Sequence, residues 1–122
     1  MKVKPLVSMA LSVMLLLGLN PAAAADLTAG MKTVKLELKS AGPVAFGPEG
    51  ILFVADPLAA TVHAVATGDT AAAKKKKVVS LEGVDRKIAA ALGTSPDKIR
   101  ISDLAVNPAS GVAYLSVARG SG

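Results

Sequence analysis

One histidine and nine carboxylates are the whole stock from which this chain could build acid–base or metal chemistry, and no cysteine is present. His63 sits in the apolar run Thr61-Val62-His63-Ala64-Val65-Ala66. A single imidazole without a second donor at ligand spacing makes no metal or nucleophile site, so it reads as a structural or outward-facing residue. Asp56 and Asp103 lie beside expected turns and read as caps, their side-chain oxygens accepting nearby backbone N–H groups. Glu49, inside Pro48-Glu49-Gly50, reads as exposed. The run Lys74-Lys75-Lys76-Lys77 raises the local potential and is the candidate contact for an anionic surface, lipid headgroups or polysaccharide. Its alternative is a solvated loop, since like charges in a row repel and extend the chain and no aromatic interleaves them. Phosphate-loop, dinucleotide, nucleophile-elbow and H-E-x-x-H patterns are absent. No catalytic, cofactor-binding or metal-ligating residue is therefore assigned, and no cofactor is expected.

The first residues belong to export rather than to a fold. Lys2 and Lys4 precede an apolar stretch from Leu6 to Leu19, Asn20-Pro21 breaks it, and Ala23-Ala24-Ala25 forms an A-x-A site. This is the pattern of a secretory signal peptide over residues 1–25, with Asp26 as the new N-terminus. Ser8, Ser12 and Gly18 interrupt the apolar stretch, which is short against the roughly 20 residues a bilayer span requires, so no stable membrane span is expected after cleavage. Export places the protein in a secreted or periplasmic setting, where a fold without disulfides relies on its core. Loss of Lys2 and Lys4 lowers the formal charge from +5 to +3. Apart from the lysine run the remainder is close to neutral, without the spread basic face that nucleic acid would need.

Two stretches are imperfect copies. Ala45-Phe46-Gly47-Pro48-Glu49-Gly50-Ile51-Leu52-Phe53-Val54 matches Ala105-Val106-Asn107-Pro108-Ala109-Ser110-Gly111-Val112-Ala113-Tyr114-Leu115, 60 residues on at Ala45/Ala105 and 61 on at Phe53/Tyr114, with Ser110 inserted. Each predicts a β-hairpin: the prolines preset φ for a turn and the glycines take the positive φ that closes it. The runs that follow, Ile51 to Ala55 and Val112 to Val117, are apolar enough for strands covered on both faces. A repeated unit of this kind predicts an array in which each unit buries its apolar face on its neighbours.

Around the copies, Met31 to Lys39 alternates Val34, Leu36 and Leu38 with Lys35, Glu37 and Lys39, predicting a half-buried strand. Asp56-Pro57 turns into a third strand, Thr61 to Ala66; Thr67-Gly68-Asp69-Thr70 closes that unit. A low-complexity stretch from Ala71 to Lys77 and an outer strand Val78-Val79-Ser80-Leu81 are expected next. Val84, Ile88 and Leu92 recur at helical spacing with Gly93 as the terminating glycine, and Ser95-Pro96 reads as an N-cap followed by a first helical position.

The order Gly42-Pro43-Val44-Ala45-Phe46, Pro48-Glu49-Gly50, Leu52-Phe53-Val54-Ala55-Asp56 and Val62-His63-Ala64-Val65 resembles the opening blade of secreted six- or seven-bladed β-propellers, a group that includes NHL-repeat, strictosidine-synthase-like and gluconolactonase proteins. Ser102-Asp103-Leu104-Ala105-Val106-Asn107-Pro108 through Tyr114-Leu115-Ser116 is similar to a further blade of the same superfamily. The resemblance implies an all-β chain: a partial propeller of about two blades, residues 33–82 and 99–122, with a helical insertion at 83–98 and a signal-peptide helix before them. Propellers have roughly four to eight blades, so residues 26–122 are expected to be the N-terminal part of a larger ring whose downstream blades are missing from this chain. The function implied is a binding or scaffold module holding a small molecule, glycan or protein on one face. The alternative is the N-terminal part of a lactonase-like or strictosidine-synthase-like hydrolase or lyase. Gluconolactonases open with Glu-Gly-Pro, whose glutamate is a metal ligand. Ala41-Gly42-Pro43 stands at that place here, and the alanine side chain has no donor for a hard cation.

Overall fold

The computed structural model describes residues 25–75 and 78–120, so residues 1–24 of the expected signal peptide and Lys76-Lys77 lie outside the described residues. Among the described residues the chain is mostly β, with one helix. Its strands are β1 (Val44–Phe46), β2 (Ile51–Asp56), β3 (Thr61–Ala66), β4 (Ile99–Val106) and β5 (Ala113–Arg119), and α1 (Val84–Ala91) lies between β3 and β4. β1, β2 and β3 form an antiparallel sheet in that order, and β4 and β5 form a second.

The two sequence copies fold as hairpins with one register. Ala45 faces Phe53 in the first and Ala105 faces Tyr114 in the second; Val44 faces Val54 as Leu104 faces Leu115, and Phe46 faces Leu52 as Val106 faces Ala113. Ser110 is absorbed in the second turn, so it leaves the ladder unshifted. Gly50 and Gly111 adopt φ of 68° and 74°, as the turns demand. At Gly50 the constraint is also steric, because a Cβ would stand 2.9 Å from the Asp69 carbonyl oxygen.

β1 packs beside β4 and joins the sheets. The Phe46 and Tyr114 rings meet edge to face, centroids 5.0 Å apart and planes at 73°, the arrangement their quadrupoles favour. The buried apolar residues are few: Ile51, Leu52, Val54 and Ala89. Both faces of β2 are thus covered, apart from Phe53. β5 is covered less, with Leu115 exposed and Ser116 buried.

Two expected strands do not form. Residues 31–38 have no ladder partner, and Val34, Leu36 and Leu38 are exposed. They run beside the open edge of β3 across a groove of about 500 Å³ lined by Met31, Leu36 and His63 among others. Period-two alternation encodes a face to bury, whereas a strand also needs a backbone partner. Val78 to Leu81 is likewise irregular and exposed. Here the cause is tertiary: residues following β3 are tied to the second hairpin, the Ala73 N–H donating to Ala109 O at 3.0 Å, which carries the chain away from the β3 edge.

The helix forms where its apolar spacing predicts, and Gly93 ends it at φ 64°. Pro96–Lys98 is a single 3-10 turn. Ser95 precedes it without a side-chain cap, and the Lys98 N–H donates to the Ser95 carbonyl instead. Among the described residues no helix is long and apolar enough to cross a membrane.

Candidate functional site

Three aspartates set the geometry between the hairpins. Asp56, at the end of β2, is 1% exposed. Its carboxylate accepts from the Lys39 N–H (2.6 Å), the Ser40 hydroxyl (2.6 Å) and the Ala59 N–H (3.1 Å). Asp56 therefore caps its turn as expected and in addition holds the segment that leads into β1. The Ser40 hydroxyl above all, with the backbone donors, keeps its pKa below the ordinary value against the opposing effect of burial.

Asp103 does not cap a turn. It lies within β4, and its carboxylate crosses the sheet junction to accept from the Val44 N–H at 2.9 Å, its other oxygen accepting from the Leu104 N–H. Val44 begins β1, whose other edge is taken by β2, so Asp103 satisfies a donor on the edge facing the second sheet. The Val44 and Leu104 amides hold its pKa low.

Asp69 is the residue that sequence reasoning passed over. It follows β3 in the turn expected only to close the first unit, yet one carboxylate oxygen accepts from the Ser110 hydroxyl (2.6 Å), the Asn107 side-chain amide (3.0 Å) and the Tyr114 hydroxyl (3.1 Å). Asn107, 1% exposed, donates also to the Asp69 carbonyl at 2.6 Å and accepts from the Ala109 N–H. Ser110 foremost, then Asn107 and Tyr114, lower the Asp69 pKa. The only legible signal was Ser110 itself, the residue that breaks the match between the copies.

At the end of the sheets where β1 and β4 begin, the two hairpins enclose a groove of about 620 Å³. Residues 40–43, Pro57 and Leu58 contribute one wall, and Arg100, Ile101 and Ser102 the other. Asp56 fixes the first wall, since the Ser40 hydroxyl it orients also accepts from the Leu58 N–H at 3.1 Å. A bulge shapes the second. Ile101 faces Val117 while Asp103 faces Ser116, leaving Ser102 as an extra residue on β4; bulges twist a strand and re-aim its side chains. Gly42 is required by close approach, as a Cβ there would lie 2.7 Å from Pro57 Cδ and 2.8 Å from the Ala55 carbonyl oxygen.

The residues singled out from sequence are dispersed. His63, on β3, pairs with Val54 of β2 and lines the separate groove beside residues 31–36. Glu49 is exposed, as expected, and accepts from the Leu27 N–H at 3.0 Å; it also adopts a left-handed φ of 55°, which sequence did not indicate. Lys74 and Lys75 are exposed in the long loop. No group of three or more His, Cys, Asp or Glu side chains gathers among the described residues. The chain matches no protein family, no curated protein and no solved structure.

Proposed function

We propose that this chain is an exported β-propeller segment that acts as a binding or scaffold module, taking a small molecule, glycan or protein partner on the face where β1 and β4 begin. Further blades would complete the ring. The observation that carries this reading is the groove built jointly by both hairpins. One unit supplies residues 40–43, Pro57 and Leu58, and the next supplies residues 100–102. A volume near 620 Å³ falls within the range of small-molecule sites. The common register and the contact between β1 and β4 support the view that the hairpins are successive units of one array. Ala41 lines the groove and its side chain brings no metal donor, which weighs against gluconolactonase-type chemistry.

The test has two arms. N-terminal sequencing of protein exported by a bacterial host should begin at Asp26; a chain retaining residues 1–25 would remove export from the proposal. Amide-resolved NMR titration with neutral and charged fragments should perturb Ala41, Leu58 and Ile101 together. Perturbation confined to the His63 groove, or none at millimolar fragment, would remove the binding role assigned to this face.

A further inference from the structure

Resting on the reading of this groove as a binding site, we infer that its ligand is a small organic acid, an apolar body ending in a carboxylate that Arg100 receives. The walls are aliphatic: Pro43, Pro57, Leu58 and Ile101 line the groove, and no aromatic side chain does. Such walls suit an alkyl or aryl body and offer no ring to stack against a sugar. Arg100 is the one charged side chain among the lining residues. A guanidinium presents planar paired donors that match a carboxylate bidentately.

Its lack of a partner is what points to a ligand. Among the described residues the single ion pair joins Lys35 to Glu37, on the exposed stretch before β1. Arg119, on the neighbouring strand, already spends a guanidinium N–H on the Leu92 carbonyl. Arg100, exposed on β4, makes no such bond among the described residues. Asp97, which borders a neighbouring hollow with Arg100, forms no ion pair with it among the described residues, and Asp56 and Asp103 are committed elsewhere: Asp56 to Lys39, Ser40 and Ala59, and Asp103 to Val44 and Leu104. Their negative charge is answered by fixed donors, leaving the arginine to an incoming anion. Ser102, placed by the bulge on the same wall, adds a hydroxyl beside it.

The probes are 4-phenylbutyrate and its neutral counterpart 4-phenylbutanol, titrated into the purified protein and followed by amide NMR. The acid should perturb Leu58, Ile101 and Ser102 and bind at least about tenfold more tightly than the alcohol, the loss expected when a charge-assisted hydrogen bond is removed. Raising ionic strength should weaken the acid and leave the alcohol unchanged. Arg100→Gln should bring the acid down to the alcohol, while Arg119→Gln should leave the difference intact. Equal binding of acid and alcohol at these residues, or an Arg100→Gln protein that still prefers the acid, overturns the assignment of the anion while the groove stands. Failure of both probes to perturb Leu58, Ile101 or Ser102 overturns the inference together with the reading on which it rests.

Discussion

Asp69 concentrates three side-chain donors on one oxygen, and their removal would not be equivalent to removing the acceptor. Ser110→Ala deletes one bond; Asp69→Ala deletes three, leaving the Ser110 and Tyr114 hydroxyls without this acceptor and the Asn107 amide, on a residue 1% exposed, with only its bond to the residue-69 backbone carbonyl. Because an orphaned buried donor costs more than a missing bond, Asp69→Ala is expected to lower the melting temperature well beyond Ser110→Ala, measured by circular dichroism. The same carboxylate, with Asp56 and Asp103, ties stability to pH. All three titrate below the ordinary value of 3.8 in the folded protein, so their contribution is fully present above the unfolded range and is lost as pH falls from there through the lowered folded values. Chemical unfolding should show that acid-side slope, and Asp69→Asn should reduce it. Ser116 behaves in the opposite sense. Its hydroxyl is buried without a partner, so Ser116→Ala is expected to stabilise by about 1 kcal/mol, and a measured loss of stability would reveal a partner for that oxygen.

The elements owe their ends to backbone conformation. Ala60 closes the 3-10 turn Pro57–Ala59 at φ 50°, left-handed and without a glycine. Ala60→Gly should therefore gain about 0.5–1 kcal/mol in denaturant midpoint terms. Gly50→Ala combines left-handed strain with a Cβ 2.9 Å from the Asp69 carbonyl oxygen. It should cost about 1–2 kcal/mol or more and shift the amide resonances of the second hairpin through Asp69. Hairpins, the third strand and the helix were legible because proline–glycine turns, β-branched runs and helical spacing are local signals. Residues 31–38 and 78–81 were misread for the complementary reason. Their patterns describe a face to bury, and neither finds a neighbouring backbone to pair with.

At the scale of the molecule, a three-stranded and a two-stranded sheet and one helix, with Ile51, Leu52, Val54 and Ala89 as the only buried apolar residues among those described, make a small core. A lone two-stranded hairpin is marginal in water, so the second sheet depends on what crosses to the first: the Asp103 to Val44 bond, the Asp69 cluster and the Phe46–Tyr114 contact. A double-mutant cycle on Phe46→Leu and Tyr114→Leu, followed by equilibrium unfolding, should return a coupling of about 0.5–1.5 kcal/mol. Tyr114→Phe separates the ring from the hydroxyl that Asp69 receives. Zero coupling would mean that the ring pair contributes nothing to the junction. The exposed apolar residues Val62, Leu104, Val106 and Leu115 on these sheets are consistent with an array in which further units cover them, as proposed.

By itself the sequence determined which segments become hairpins, their common register, the helix and its terminating glycine, because each is written in neighbouring residues. Only the tertiary structure decided that Asp103 belongs to the junction rather than to a turn, that Asp69 joins two units, and that Arg100 stands unpaired above an aliphatic groove. Those facts depend on residues tens of positions apart meeting in space, and no local pattern of polarity or backbone preference carries that distance.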